Sequence, residues 1–298
     1  MTILVLGNSN IFRRKVYFAL KKIKVPIEVA SRRNINKNFK IKKSYTSYKK
    51  ALNDTKAKIV YISLINSEHF NWAVKALNKK KHVIIDKPIT LNFNHTKKLV
   101  SLAKKNNLLL SEAIVFQKDL RFKNVTKKID LKKTTHIYCK FHIPKLDKKN
   151  FRNFKKYGGG CFHDMSPYAA YLIYYFFNKK KYLIDYKKSK NGFLIKSQSK
   201  NIFLDASFSF NDKYKNEIII YNKSKKYFID YSFSPPINKI LNLEISGSIK
   251  QKKRKIVFSR QNVFYTYFSE IFKIISKKRY NSYYEKIEKI AEIKKKFS

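Results

Sequence analysis

Short apolar runs of strand length alternate with helical spacing through the first third of the chain, and this rhythm restricts the fold more than any other feature. Residues 2–6, Ile27–Ala30, Ile59–Ile62, His82–Ile85 and 108–110 read as strands. Between them lie Phe12, Val16, Leu20 and Ile23 at helical spacing, then Phe70, Ala73, Val74 and Leu77, then Leu99, Val100 and Ala103. Strands and helices that alternate at this spacing predict a right-handed parallel α/β sheet. Ligands of such sheets bind beyond the carboxyl ends of the strands, so the residues that follow each run deserve the closest reading.

With 298 residues the chain has room for a large core and two domains. Hydrophobic residues make up 44% and aromatics 15%, which argues for a globular protein over a disordered one. The formal net charge of +49 raises nucleic acid or an anionic membrane surface as a partner. Against that, the basic clusters at 79–81, 179–181, 252–255, 277–279 and 294–296 are scattered, whereas a dedicated binder gathers its charge on one face. Lys, Asn, Ile, Tyr and Phe are abundant and Gly, Ala, Pro and Trp scarce, the bias an AT-rich genome would encode. Compositional drift is therefore preferred and nucleic acid is not the expected partner, although the potential should draw in phosphates and other small anions. Cys139 and Cys161 have neither metal-site nor redox spacing, which predicts a reduced, cytoplasmic protein. No basic segment precedes the first apolar run, so no signal peptide is expected. The longest apolar run, 168–177, is too short to span a bilayer.

Gly7-Asn8-Ser9-Asn10 breaks the first strand and a helix is predicted over 11–23. Strand, tight turn and helix suit a phosphate at the helix N-terminus, where backbone amides point outward. The dinucleotide fingerprint asks for glycine at three positions, here Gly7, Ser9 and Phe12. Ser9 is small enough for close phosphate approach, whereas Phe12 requires a compensating gap between helix and strand. Gly7, Ser9, Asn10 and Ile11 are the candidate contacts, and a plain βα turn is the competing reading. The second strand ends in Ser31-Arg32-Arg33 with no acid beside it. A carboxylate there would hold ribose hydroxyls, and an arginine accommodates a 2′-phosphate, so NADP(H) is favoured over NAD(H). Ser63, Leu64, Asn66 and His69 follow the third strand as further cofactor candidates; a first-turn surface histidine is the alternative for His69. The fourth strand delivers Asp86, Lys87 and Pro88 to its carboxyl end, where Asp86 and Lys87 are further cofactor-binding candidates; an ordinary solvated strand end is the alternative.

The second part reads as strands over 135–143, Ile202–Phe210, 217–221, 227–231, 241–248 and 256–258, with a lysine-rich helical segment from about 263. In the first of these, His136, Tyr138, Lys140 and His142 share one face and Ile137, Cys139 and Phe141 the other. Two histidines so far apart along a strand, with no third ligand in view, do not predict a metal site. Arg152 is a candidate for an anionic substrate group, with a surface arginine as the alternative. A helix is predicted to begin near Asp164, because Pro167 is tolerated only in a first turn. Asp164 and Tyr168, four apart, share a helix face; a cap and a core residue would show the same spacing.

Several stretches resemble the glucose–fructose oxidoreductase, inositol dehydrogenase and MocA family of NAD(P)-dependent oxidoreductases. They are Val60-Tyr61-Ile62-Ser63 through His69, Ala76-Leu77, Lys81-His82-Val83-Ile84-Ile85-Asp86-Lys87-Pro88, and Glu112-Ala113. The resemblance returns at Gly158-Gly159-Gly160-Cys161-Phe162-His163-Asp164-Met165-Ser166-Pro167-Tyr168, at 208–210, at Asn216-Glu217-Ile218 and at Phe233-Ser234-Pro235-Pro236. It implies an N-terminal Rossmann domain, 1–113, and a C-terminal α/β domain, 114–298, with a large, mostly antiparallel sheet. It also implies that the Lys87–Pro88 bond is cis, that Lys87 and Asp164 are catalytic, and that Asp86 stands where the family usually has glutamate. Where its dehydrogenases carry histidine this chain has Tyr168, as in the similar nucleotide-sugar ketoreductases; Ser9 also resembles that branch. Gln117-Lys118-Asp119-Leu120 departs from the family's pattern and leaves contacts from that segment open.

The resemblance therefore implies hydride transfer between a nicotinamide and a sugar carbon, with Lys87 and Tyr168 assisting at the oxygen. Lys87, Arg152, His163, Asp164 and Tyr168 are its substrate-binding candidates, and reduction of a nucleotide-linked keto-sugar is the specific expectation. A dehydrogenase of a free polyol or sugar is the second reading, and a non-catalytic basic scaffold for nucleic acid or a protein partner is the third. Members of the family often form dimers or tetramers through the second-domain sheet, which makes a homo-oligomer an expectation.

Overall fold

The computed structural model describes residues 1–177, 181–247 and 253–297. Lys179, Lys180 and Lys252 of the basic clusters, and Ser248 at the end of one predicted strand, lie outside the described residues. By close contacts the chain divides into two compact units. The first is Met1–Ile114 with Lys156–Gly158 and Phe264–Glu292; the second is Val115–Lys155 with Gly159–Val263 and Ile293–Ser298.

The first unit holds β1 (Ile3–Leu6), β2 (Ile27–Ala30), β3 (Lys43–Tyr45), β4 (Ile59–Ile62), β5 (His82–Ile85) and β6 (Leu110–Glu112). They form one sheet in the order β3-β2-β1-β4-β5-β6, with every pair parallel. This is the doubly wound order, and its direction reverses between β1 and β4. All residues of β1 and β4 are fully buried. Helices cover both faces of such sheets, which is why these strands read as unbroken apolar runs. A π-helical stretch, Phe12–Val16, runs into α1 (Tyr17–Ile23), and α2 (Tyr48–Asp54), α3 (His69–Asn78) and α4 (Phe93–Lys105) follow.

The predicted parallel α/β sheet is observed, with several corrections. β1 starts one residue late, and the helix predicted over 11–23 is wound wide in its first part. β6 lies two residues beyond the predicted 108–110, because Leu108 and Leu109 lead into the sheet while the buried Ser111 and Glu112 complete it. β3 and α2 were not anticipated.

The second unit holds α5 (Leu120–Lys128), β7 (Thr134–Ile143), α6 (Cys161–Phe177), β8 (Leu183–Ser189), β9 (Gly192–Ser199) and β10 (Ile202–Phe210). It continues with β11 (Lys215–Asn222), β12 (Lys225–Asp230), β13 (Leu241–Ser246) and β14 (Arg254–Phe258). The strand order is β14-β13-β12-β11-β7-β10-β9-β8, antiparallel throughout except where β10 runs parallel to β7. The large, mostly antiparallel sheet is thus as expected, and the β8–β9 hairpin is additional. One face packs on α6 through β9 and β10. The other carries His136 stacked on Tyr138 and Phe203, with Tyr138 also edge-on to Tyr221. The predicted alternation in β7 holds: Ile137, Cys139 and Phe141 are buried while Tyr138 and Lys140 are exposed. α6 begins at Cys161, earlier than predicted, so Pro167 sits inside the helix beyond its first turn. The proline nitrogen cannot donate, and the His163 carbonyl loses its partner in the helical ladder.

Two last helices, α7 (Val263–Lys277) and α8 (Asn281–Lys295), carry the chain back to the first unit. There the Tyr267 and Ser111 hydroxyls lie 2.6 Å apart, and Tyr284 donates to the Leu108 carbonyl at 2.6 Å. The Phe268 ring meets Tyr61 edge-on, and Lys104 pairs with Glu288 at 3.1 Å. Among the described residues no helix is long and apolar enough to cross a membrane.

Candidate active site

In the first unit the site is built at the carboxyl ends of β1, β2, β4 and β5. The turn after β1 needs glycine at its start. Gly7 has φ of 104°, and a Cβ there would stand 2.3 Å from the Ser63 carbonyl oxygen. Only a bare backbone passes between the β1 and β4 ends, and that geometry suits a phosphate held by main-chain amides. Ser9 Oγ accepts from the Phe12 amide at 3.1 Å and lies 2.6 Å from Ser63 Oγ, so the β1 and β4 loops are joined. Asn10 and Ile11 open the helix. Arg13 donates to the Asn8 carbonyl at 2.6 Å and clasps the turn from behind. Asn8 Nδ2 donates to the Asn34 carbonyl at 2.9 Å, while its Oδ1 is buried with no hydrogen-bond partner among the described residues.

Phe12 stands where the fingerprint wants a third glycine, and the structure shows how it is accommodated. The backbone is wound as a π-helix over Phe12–Val16, which widens the turn. The Phe12 ring is fully buried, edge-on to Tyr17 and Phe39, which stack on each other at 3.9 Å. In the same turn, burial and the neighbouring Arg14 pull the Lys15 ammonium down to about 8.

At the end of β2, Ser31 Oγ donates to the Arg33 carbonyl at 2.7 Å and accepts from the Arg33 amide at 3.0 Å. The hydroxyl thus shapes the turn, and Arg32 and Arg33 are exposed on it with no acid in the run. The Arg32 guanidinium lies 5.2 Å from the centre of the Tyr48 ring. Burial pushes the Tyr48 phenol up, against the opposing pull of Arg32.

The loop after β4 and the turn after β5 are braced together by His69. This residue is fully buried, with Nδ1 2.7 Å from the Pro88 carbonyl oxygen and Nε2 3.1 Å from the Leu64 carbonyl oxygen. Burial lowers its pKa, and a neutral ring has one N–H to donate to one of these two acceptors. The Lys87–Pro88 peptide is cis, as the resemblance implied. Asp86 Oδ1 accepts from the Lys87 amide at 2.9 Å, and Glu112 accepts from the Ile89 amide at 2.8 Å. Lys87 and Asp86 are both half-buried. Asn66 donates to the Gly158 carbonyl at 2.9 Å. Gly158 has φ of 71°, and a Cβ there would come within 2.9 Å of Asn66 and Leu91. Asn66 and His69 thus each spend a polar contact on main chain of the first unit.

In the second unit the structure joins two predicted residues. Arg152 Nε donates to Asp164 Oδ1 at 2.9 Å, and Asp164 is 6% exposed. The Asn150 side chain accepts from the Arg152 amide at 3.1 Å and sets the arginine's direction. Tyr168 lies among Phe116, Phe141 and Phe233, at centroid distances of 5.8, 5.6 and 5.2 Å. His163 is half-buried; burial first and Lys294 second lower its pKa, and its Nδ1 has no hydrogen-bond partner among the described residues. Gln117, in the segment that departs from the family pattern, accepts from the Tyr171 hydroxyl at 2.7 Å. Among the described residues no group of three or more His, Cys, Asp and Glu is placed to hold a metal ion. His142 instead lies 2.8 Å from Ser207 and 3.3 Å from Asp212.

Sequence reading missed Arg13, Tyr48 and the bond that the Ile89 amide donates to Glu112. Arg13 had a usable signal in its place just past the glycine turn. Tyr48 had none, because its helix was not predicted.

A doubly wound parallel sheet with a tight glycine turn after β1 is the Rossmann arrangement, common among dinucleotide-binding domains, and it is followed here by a large, mostly antiparallel sheet. Residues 22–114 match the model of the family described as "Oxidoreductase family, NAD-binding Rossmann fold". This is the family the sequence resembles. The chain is 31% identical over 126 residues to dTDP-3,4-didehydro-2,6-dideoxy-alpha-D-glucose 3-reductase of Saccharopolyspora spinosa, covering 41% of this chain and 38% of that protein. It is 28% identical over 142 residues to an uncharacterized oxidoreductase of Rhizobium meliloti, covering 46% and 42%. The chain thus spans less than half the length of these curated relatives. The fold is that of a solved 3-ketoreductase from Actinomadura kijaniata in complex with NADP and TDP-benzene. The TM-score is 0.86 at 18% identity, over 98% of this chain and 94% of that one.

Proposed function

We propose that the protein is an NADP-dependent oxidoreductase that reduces the keto group of a nucleotide-linked sugar. The observation that carries this reading is Lys87 at the carboxyl end of β5, in a sheet whose phosphate turn opens at Gly7 beside the end of β4. In this reading Gly7, Ser9, Asn10, Ile11, Ser63 and Leu64 hold the pyrophosphate side of the cofactor, and Ser31, Arg32 and Arg33 its 2′-phosphate. The bound reduced nicotinamide supplies the hydride. Lys87 brings a positive charge and hydrogen bonds to the carbonyl oxygen as negative charge grows there, and Tyr168 gives that oxygen a proton. Asp164, its charge balanced by Arg152, accepts a hydrogen bond from a sugar hydroxyl, and His163 offers a neutral imidazole to the substrate. Asp86 fixes the main chain at Lys87, while Asn66 and His69 act by holding the loops on either side. The Saccharopolyspora relative's name and the NADP in the Actinomadura structure support the choice of substrate and cofactor.

The test is fluorescence titration with NADPH and NADH, followed by a panel of keto-sugar nucleotides. Tighter binding of NADPH and its oxidation by a nucleotide-linked keto-sugar are expected. Turnover of free polyols alone would replace the substrate assignment. Salt-sensitive nucleic-acid retention with no NADPH binding would reject the enzyme.

We further propose that two or more copies associate through the outer face of the eight-stranded sheet, where Tyr138 and Phe203 are each 38% exposed. Phe203→Asp should lower the mass measured by light scattering; a wild-type monomer would reject the proposal.

A further inference from the structure

We propose that Tyr48 determines cofactor preference by positioning Arg32 for a ribose phosphate monoester, an inference that rests on the dinucleotide reading above. Arg32 is exposed at the end of β2, and a lone exposed arginine samples many rotamers. Here its guanidinium lies over the Tyr48 ring at 5.2 Å. That ring is itself held. Tyr48 is the first residue of α2, whose start is capped by Ser47 Oγ accepting from the Lys50 amide at 3.3 Å. The ring stands edge-on to Trp72 at 5.2 Å. Trp72 is anchored in turn by its Nε1, which donates to Glu68 Oε2 at 2.9 Å, and by Lys75 over its ring at 4.3 Å. Cation, ring, ring and cation form a short ladder from the β2 end to α3.

A guanidinium laid on an aromatic face uses its π surface and keeps its in-plane N–H groups for acceptors. A phosphate monoester presents paired oxygens that match this fork. Because Tyr48 already limits the arginine's motion, less freedom is lost on binding. A ribose that carries only its 2′-hydroxyl has no charge to reward the arrangement. The Glu68 carboxylate, which would repel a phosphate, accepts from the Trp72 indole.

Dissociation constants for NADPH and NADH are measured by fluorescence titration at one low salt concentration, for wild type, Tyr48→Ala, Tyr48→Phe, Arg32→Ala and the Arg32→Ala/Tyr48→Ala double variant. Tyr48→Ala should weaken NADPH by about two- to fivefold, the range of an exposed cation–π contact, and leave NADH unchanged. Tyr48→Phe keeps the ring beside the guanidinium but loses the phenol's hydrogen bond with the Arg32 main chain, so its NADPH affinity should fall between wild type and Tyr48→Ala. Arg32→Ala should weaken NADPH by about tenfold or more through loss of the charge-assisted bonds. The double variant should be no weaker than Arg32→Ala. Should alanine disturb α2, Tyr48→Leu, which keeps an apolar neighbour for Trp72, gives the same readout. A Tyr48 effect equal for both nucleotides, or one that persists without Arg32, overturns the inference and leaves the dinucleotide reading standing. A wild-type protein that binds neither nucleotide removes that reading, and this inference with it.

Discussion

Lys87→Ala is expected to lower turnover by about 10³-fold or more while NADPH affinity stays close to that of the wild type. The size follows from two effects lost together, proton-donor assistance and electrostatic stabilisation of the developing oxyanion, each worth at least about 10²-fold. The affinity is spared in the proposed reading because the pyrophosphate turn is assigned to Gly7 and Ser9 and the 2′-phosphate site to Arg32, which follow β1 and β2 and not β5. Single-turnover oxidation of NADPH, with fluorescence titration of the same preparation, separates the two quantities. Retention of the full rate would remove Lys87 from the chemistry. Equal loss of rate and binding would make it a cofactor-holding residue.

The largest effect on stability is expected from Asp119→Ala, which should destabilise the second unit by about 3–5 kcal/mol. Arg121 is fully buried, and its charge is met by Asp119 Oδ2 at 2.7 Å and by Asp230 Oδ1 at 2.7 Å. Asp119 also accepts from the Arg121 amide at 2.8 Å and from Gln261 at 3.2 Å. One carboxylate therefore caps α5, balances a buried cation and ties in the segment before α7. Alanine leaves the guanidinium inside with half its compensation. Combining Asp119→Asn with Arg121→Met removes both buried charges and keeps an acceptor for the helix cap, so it should recover most of the loss. Asp230, 43% exposed at its side chain, is then solvated. Urea unfolding followed by probes in the second unit measures both variants; equal destabilisation would show that the ion pair is not the source.

How far the sequence could be read depended on whether burial was advertised by apolar residues. β2, β4, β5 and β10 have the predicted bounds, because their strands are apolar or alternate cleanly. β3 and α2 were hidden in a lysine-rich stretch, where Tyr45, Ala51 and Leu52 are the buried residues that betray them. The β8–β9 hairpin was hidden differently: its inward positions include Ser197 and Ser199, whose hydroxyls donate to the Leu183 and Lys181 carbonyls. In β6, Ser111 and Glu112 looked like the residues after a strand, yet both are buried with polar partners from distant segments. The candidate site divides in the same way. Lys87, Asp164 and Tyr168 were proposed from a local pattern. The Arg152–Asp164 pair, the His69 brace and the Arg32–Tyr48 contact arise from three-dimensional packing and leave no periodic trace.

The return of α7 and α8 to the first unit also bears on how the protein matures. Tyr267, Phe268 and Tyr284 pack against Ser111, Tyr61 and Leu108, residues made well over a hundred positions earlier. During synthesis on the ribosome, the six-stranded parallel layer must wait for nearly the whole polypeptide before its last surface is covered. A fragment ending near Ile114 would expose that apolar surface and should aggregate.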